Sequence, residues 1–225
     1  GPLARFKVLK ESEDRHYLIF SAHHIVCDGW SLAIILTELT RAYENTSLGP
    51  TSSFVEFALK ENRVGISEKD RQYWLSLFTK AFAGNQLPID FPRPKFRTYE
   101  SDRIDLDVSS EQVARLKKFS AKNRISFYTL LMGGFSLLLK QLSGKSDVVV
   151  GMASAAQSIP GNEEVVGHLV NMLPIRSQFN EQQRVVDYLQ SLKRDMMDGI
   201  DHQCYTFGSL LQDLNIPRNP SEIPL

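Results

Sequence analysis

Cysteine is scarce in this chain: its 225 residues hold two, Cys27 and Cys204. Two thiols so far apart make neither a disulfide framework nor the paired spacing of a zinc finger, and they fit a reducing compartment. Long apolar runs are missing as well. None approaches the ~20 residues that a helix needs to cross a bilayer, and Gly1-Pro2-Leu3-Ala4-Arg5 lacks the apolar core of a signal peptide. Neither sign of charge is in excess: 26 basic residues face 26 acidic ones, for a formal net charge of zero. A nucleic-acid binder normally carries a basic surplus, so nucleic acid and membrane are set aside as partners and a cytoplasmic protein is expected. What is present is ordinary globular material, 42% hydrophobic and 23% charged, in a chain long enough to bury a core without staples.

The apolar periodicity predicts mixed structure. Phe6 and Val8 alternate with Arg5 and Lys7, Glu11-Ser12-Glu13-Asp14 makes a turn, and residues 16–22 read as a second, aromatic-rich strand, so the pair predicts a hairpin. After Asp28-Gly29 the period changes, with Leu32, Ile35, Leu36, Leu39 and Tyr43 at helical spacing. Residues 54–62 and 67–82 read as further helices. The stretch 84–94 carries three prolines and a glycine and is the expected linker, dividing the chain into 1–83 and 95–225. Beyond it, 101–108 reads as a strand, 109–123 as a helix with a serine cap, and 126–142 as a buried helix. Residues 147–152 read as a strand, and 165–179 contains another, broken by Pro174. A helix over 183–202 puts Val185, Val186, Leu189, Leu192, Met196 and Ile200 on one side, and the proline-bearing tail 214–225 reads as extended. Strands and helices in this order predict an α/β layered sandwich.

One stretch concentrates chemistry: His23-His24-Ile25-Val26-Cys27-Asp28-Gly29-Trp30-Ser31. Neighbouring side chains on a strand point to opposite faces, so His23 and His24 divide their roles between the two sides. Asp28-Gly29 turns the chain into the helix, with glycine supplying backbone freedom. An imidazole at a strand end, beside a turn that brings back a carboxylate, suits proton transfer at neutral pH. The competing readings are a structural histidine, which a lone His at a strand end more often is, and a zinc site, which divergent neighbours on a strand disfavour.

Further segments add to this one. Ser53-Phe54-Val55-Glu56-Phe57-Ala58, Val166-Gly167-His168-Leu169-Val170-Asn171-Met172-Leu173-Pro174-Ile175-Arg176, His202-Gln203-Cys204-Tyr205-Thr206-Phe207 and the stretch from Ile216 to Leu225 come after it in that order. Together with His23-His24…Asp28-Gly29 they resemble five ordered motifs of nonribosomal peptide synthetase condensation domains. Ser53 stands where the second of these usually has an aromatic residue. The resemblance implies a chloramphenicol-acetyltransferase-like fold of two α/β lobes with the active site in a tunnel between them. Residues 1–83 are then the end of the first lobe, and 95–225 the second, truncated before its last bridging segments.

The resemblance also implies a reaction: amide formation between an acyl group on an upstream donor carrier protein and an amine on a downstream acceptor carrier, beside an adjacent adenylation domain. His24, His23, Asp28 and Gly29 form the expected catalytic set. In it His24 orients the amine and accepts or relays its proton, His23 packs or hydrogen-bonds inside the lobe, and Asp28 holds the loop. Trp30, Ser31, Gln157, His168 and Asn171 are the expected substrate-binding positions. No metal or bound cofactor is implied, because the phosphopantetheine arms belong to the carriers.

Many relatives carry an Arg that pairs with the motif's Asp, where this chain aligns Gln157. Asp28 must then find another cation, such as Arg63, or settle for hydrogen bonds, unless Gln157 is a solvated loop residue. That departure, with the 167–171 and 202–208 stretches, resembles the subgroup found after polyketide modules. An epimerisation domain shares the double His but usually lacks the arrangement of Val170, Asn171 and Arg176. Heterocyclisation domains replace the double His with Asp-rich spacing. A plant-type coenzyme A acyltransferase carries an Asp-Phe-Gly-Trp-Gly segment that is absent here. A degenerate condensation-like module that only docks carriers is the reading from a different class; the intact His24, Asp28 and Gly29 count against it.

Overall fold

The alternating segment at the start of the chain pairs with the next in an antiparallel hairpin. Strands β1 (Ala4–Lys10) and β2 (His16–Ala22) run in register from Ala4 opposite Ala22 to Lys10 opposite His16. A computed structural model describes residues 1–79, 82, 84–85, 87–96, 98 and 100–216. Among the described residues the helices are α1 (Gly29–Tyr43), α2 (Phe54–Val64), α3 (Glu68–Leu77), α4 (Ser110–Lys122), α5 (Phe127–Ser143), α6 (Val185–Asp201) and α7 (Phe207–Asp213). Between α5 and α6 lie β3 (Asp147–Ala155), a single 3₁₀ turn (Ala156–Ser158) and β4 (Val170–Gln178). Among the described residues no single helix is long and apolar enough to cross a membrane.

The helix starts reflect local chemistry. The first backbone N–H groups of a helix have no carbonyl to bond, and a short polar side chain just before the helix satisfies one of them. Asp28, Ser53, Ser67, Ser109, Ser126 and Thr206 all do this, and Ser109 with Gln112 completes a reciprocal capping box. Gly144 ends α5 in the left-handed region at φ 67°, which glycine adopts without strain.

Contacts divide the chain into two compact units. One comprises Gly1–Ile66 with Ala153–Asn171, and the other Ser67–Met152 with the chain from Met172 onward. The division therefore falls at 66/67, not at the proline-rich 84–94 stretch, and 153–171 returns to the first unit. The packing of α3 is the reason. Trp74 of that helix is buried in the second unit's core with Leu173, Ile175, Leu189, Leu192 and Met196, and its indole N–H donates to the His202 carbonyl at 2.8 Å. Asn85, inside the expected linker, bonds both backbone groups of Val149. The first unit buries far less apolar surface, chiefly Ile34, Val165 and Leu169.

Four other expectations meet a different structure. Residues 101–108 form no strand: Ile104 and Leu106 alternate as a strand should but are 85% and 86% exposed, and a strand needs a partner to supply its hydrogen bonds. Pro174 does not break β4. Bonds Phe179 N–H to Ser146 O and Ala156 N–H to Leu169 O bracket an antiparallel pairing, with the same ten-residue step on both strands. Odd-numbered residues of β4 thus bond β3 through their backbones, and Pro174, in a two-stranded sheet, turns its missing N–H to the open side. Residues 207–213, unassigned from the sequence, are α7, and Val185 and Ile200 are exposed rather than on the buried face of α6. Most of the 214–225 tail, from residue 217 on, lies outside the described residues, as does the last of the five motifs apart from Ile216.

Two adjacent glycines of α5 give a paired prediction. A methyl at Gly133 meets Leu189 Cδ2 at 2.3 Å and Leu192 Cδ2 at 3.2 Å, both on fully buried side chains of α6, whereas a methyl at Gly134 meets nothing within 4 Å. Gly133→Ala is expected to destabilise by about 1–2 kcal/mol, because overpacking outweighs the gain in helix propensity. Gly134→Ala is expected to stabilise by up to about 1 kcal/mol. Thermal unfolding of the two variants checks the opposite signs.

Candidate active site

The hairpin ladder ends one rung past β2, where His23 N–H donates to the Leu3 carbonyl at 2.7 Å. The chain then turns, with Val26 N–H bonded to His23 O at 3.0 Å. His23 and His24 therefore sit on this turn and not on the strand, so strand alternation does not set their faces. His23 is exposed rather than interior, so it does not pack there, but it is hydrogen-bonded: its Nδ1 accepts from Ile25 N–H at 3.1 Å. That bond takes the Nδ1 lone pair and leaves the ring proton of the neutral form on Nε2. His24 is also exposed, and its Nδ1 lies 3.1 Å from Nδ1 of His168.

Behind the turn, Asp28 is 3% exposed. One carboxylate oxygen accepts from Ser31 N–H at 2.8 Å, from the Ser31 hydroxyl at 2.7 Å and from Gln157 Nε2 at 3.2 Å. The other accepts from Gln157 Nε2 at 3.0 Å and from Leu169 N–H at 3.0 Å. Burial alone would push this carboxyl up. The Ser31 N–H, the Gln157 amide, the Ser31 hydroxyl and the Leu169 N–H together outweigh it and hold the group below the ordinary carboxylate range. No Arg63 contact is among these bonds, so hydrogen bonds stand in for the missing cation.

This arrangement ties two distant stretches together. Asp28 caps α1 and reaches across to Leu169, while the Ser31 hydroxyl accepts from Gly167 N–H at 2.9 Å and lies 2.7 Å from Gly167 O. Its one proton is shared between Gly167 O and the carboxylate. A side chain at Gly167 has no room, since a Cβ there would come within 2.3 Å of the Phe54 ring. Trp30, on the first turn of α1, is exposed and its indole N–H donates to Glu163 O at 3.2 Å. Burial, with the Asp28 charge adding to it, pushes the Cys27 thiol up, so the thiol keeps its proton and offers no nucleophile.

Several expected roles change with these placements. Ser31 and Gln157 are completely buried and bonded to Asp28, so neither has an exposed atom with which to touch a substrate. Gln157 is no solvated loop residue. Asn171 is half-buried at the start of β4. Gly29 is the first residue of α1, its φ is not in the left-handed region, and an added Cβ meets nothing within 4 Å. Neither turn geometry nor crowding among the described residues requires glycine there. Gly29→Ala is accordingly expected to unfold within about 0.5 kcal/mol of the parent. An activity loss without a stability loss, measured side by side, would place an incoming reactant against that Cα.

The pairing of the Gly167 and Leu169 backbone with Ser31 and Asp28 has no local signature in the sequence. Only the Val-Gly-x-x-Val-Asn pattern hinted that the stretch matters. Two other motif residues belong to the second unit. Arg176 forms a bidentate pair with Asp147 at 2.9 and 2.6 Å and donates to Leu77 O at 2.6 Å. His202 bonds Asp70 through Nδ1 at 2.6 Å and stacks on Tyr73 at 4.1 Å between ring centres.

The condensation domain family model matches residues 1–225. Surfactin synthase subunit 1 of Bacillus subtilis (strain 168) is 32% identical over 228 residues, covering 100% of this chain and 6% of that protein. Tyrocidine synthase 2 of Brevibacillus parabrevis is 30% identical, again over 100% of this chain and 6% of the relative. Among solved structures, the X-domain from teicoplanin biosynthesis superposes with a TM-score of 0.85 at 18% identity, over 99% of this chain and 53% of that one. The chain thus spans a small fraction of the synthetases it matches and about half of a solved domain of the same α/β, chloramphenicol-acetyltransferase-like fold. With the double-histidine turn, its buried aspartate and the Gly167–Leu169 anchor all in place, the chain belongs to the condensation domain family of nonribosomal peptide synthetases.

Proposed function

We propose that this chain carries the reaction centre of an amide-forming acyltransferase that joins a carrier-bound acyl donor to a carrier-bound aminoacyl acceptor. The observation behind this reading is His24, an exposed imidazole on a turn that is followed two residues later by the buried carboxylate capping α1. The acceptor amine attacks the donor thioester carbonyl; a C–N bond forms, the C–S bond breaks, and the thiol departs on the donor's pantetheine arm. His24 orients the amine and passes its proton towards the leaving sulfur. His23, bonded to its own turn, and Asp28, enclosed, support His24 rather than touch the reactants. Partners are the donor and acceptor carriers and a neighbouring adenylation domain, all in the cytoplasm.

Magnitudes set the division of labour. An α-amine of pKa about 7.7–8.0 is about one-tenth neutral at pH 7, so full deprotonation before attack is not demanded. General base catalysis typically gives ~10²–10⁴-fold, whereas positioning can supply roughly 7–11 kcal/mol. Positioning therefore carries the larger share.

The test uses the intact synthetase. Acyl-loaded donor carrier and aminoacyl-loaded acceptor carrier are mixed with it, and the acceptor is weighed by intact-protein mass spectrometry. A mass gain equal to the acyl group is expected. Carrier binding without transfer would leave a docking module, and exchange of the α-proton for deuterium without transfer would mark an epimerase. We assign the donor to the polyketide class on Gln157 and the Gly167-His168 pattern, and exclusive acceptance of peptidyl donors rejects that assignment.

A further inference from the structure

In the familiar proton-relay arrangement an imidazole is oriented by a carboxylate bonded to its second nitrogen. Asp28 is not available for that task. Its two oxygens take bonds from Ser31, Gln157 and Leu169, and none comes from His24. What faces His24 instead is His168: the two Nδ1 atoms are 3.1 Å apart, the ring centres 5.0 Å, and the ring planes are inclined at 79°. Among the described residues neither ring has another hydrogen-bond partner, and no third His, Cys, Asp or Glu completes a metal site with them.

A hydrogen bond between two imidazole nitrogens needs a proton on one and a lone pair on the other. If His168 donates, His24 keeps its own proton on Nε2 and has no lone pair left for the amine. If His24 donates, its Nε2 lone pair is free. The pairing therefore sets which nitrogen of His24 is open. We propose that His168 is a positioning residue: by accepting the Nδ1–H of His24 it holds that ring in the orientation and tautomer whose Nε2 takes up the amine proton. This inference rests on the reading of His24 as the relay.

The backbone makes His168 a fixed partner. Gly167 is anchored to Ser31 and Leu169 to Asp28, one residue on either side, while the Leu169 side chain is buried and the His168 ring is exposed. The carboxylate that caps α1 just after the His24 turn thus also holds the segment that presents His168.

The experiment uses the intact synthetase carrying this chain, with single-turnover transfer measured over a range of loaded carrier concentrations. His168→Leu is expected to lower the rate at saturation about two- to tenfold, the worth of one neutral hydrogen bond, without shifting the half-saturating concentration. His168→Asn, whose Oδ1 falls near the lost Nδ1, is expected to recover most of the rate. His168→Gln, whose oxygen falls near the lost Nε2, is not.

A second readout needs no turnover: the rate at which diethyl pyrocarbonate labels His24, monitored by peptide mass spectrometry. His168→Leu is expected to slow that labelling by a similar factor and His168→Asn to restore it. Equal rates and labelling in parent and His168→Leu, or identical behaviour of the Leu and Asn variants, overturn the proposal. If His24→Ala abolishes transfer while labelling ignores residue 168, the pairing fails and the relay reading survives. If labelling tracks residue 168 while His24→Ala leaves transfer intact, the relay reading fails and the pairing alone is left.

Discussion

Asp28→Ala is expected to lower stability by about 3–7 kcal/mol and to abolish detectable transfer. Loss of the helix cap accounts for about 1 kcal/mol of this. The remainder comes from donors left without an acceptor in a site closed to water, the Leu169 N–H and the Gln157 amide, at about 1–3 kcal/mol each. Activity falls further than stability alone implies, because the Leu169 bond that holds the 167–169 stretch opposite His24 goes with the carboxylate. Asp28→Asn discriminates between charge and shape. One oxygen keeps the Ser31 N–H, and a flipped Gln157 meets the new amide with Oε1, an atom that has no hydrogen-bond partner among the described residues. The Leu169 N–H is then the group left unsatisfied, so the Asn variant should fall between the parent and Asp28→Ala in both stability and rate. Urea unfolding beside single-turnover transfer measures both.

The same carboxylate sets a pH dependence. Its folded-state pKa is lowered, so the folded chain binds fewer protons than the unfolded chain and stability rises with pH through the acid range. The contribution is complete above the unfolded value of about 3.9 and is lost as pH falls through the depressed folded value. Asp213, bonded to Tyr205 and Arg71, and Asp187, bonded to Arg184, are lowered too and act in the same sense. Asp195, raised by burial and then by Asp198, acts oppositely. The share belonging to Asp28 is therefore read by difference: the stability gap between parent and Asp28→Asn should shrink steadily as the solution is acidified.

What could be read from the sequence was local in origin. The hairpin and the helices declare themselves because period and cap chemistry act over a few neighbouring residues, as Ser53, Ser109 and Ser126 show. Failures came where a distant partner decides. Residues 101–108 have the alternation of a strand and no strand beside them. Pro174 suggested a break, yet the pairing of β3 with β4 leaves its missing N–H on the unbonded side. Alternation assigned His23 and His24 to opposite faces, but the strand stops at Ala22 and a turn aims both. The alignment puts Gln157 where many relatives carry an Arg, but leaves its bond to Asp28 open beside a cation such as Arg63 or a solvated Gln157. The complete burial of Gln157 is not legible, because nothing adjacent to it marks the 3₁₀ turn as interior. The facing of His24 and His168, 144 residues apart, has no local signature at all.

His24→Ala is the second large effect. It removes the group that holds and deprotonates the amine and leaves the loop it sits on intact, since among the described residues its ring bonds only His168 and its side chain is exposed. Loss of proton relay lowers the rate by ~10²–10⁴. The remaining advantage, from bringing two tethered reactants together, keeps transfer above the rate of untethered aminolysis. Stability should stay within about 0.5 kcal/mol of the parent, as for other exposed positions. The decisive measurement is the single-turnover rate at which acyl-loaded donor carrier acylates aminoacyl-loaded acceptor carrier in the intact synthetase, parent against His24→Ala, both at saturating carrier. A rate reduced roughly a hundredfold or more, with residual product still above the enzyme-free control, is the predicted result. Equal rates in the two proteins would contradict it.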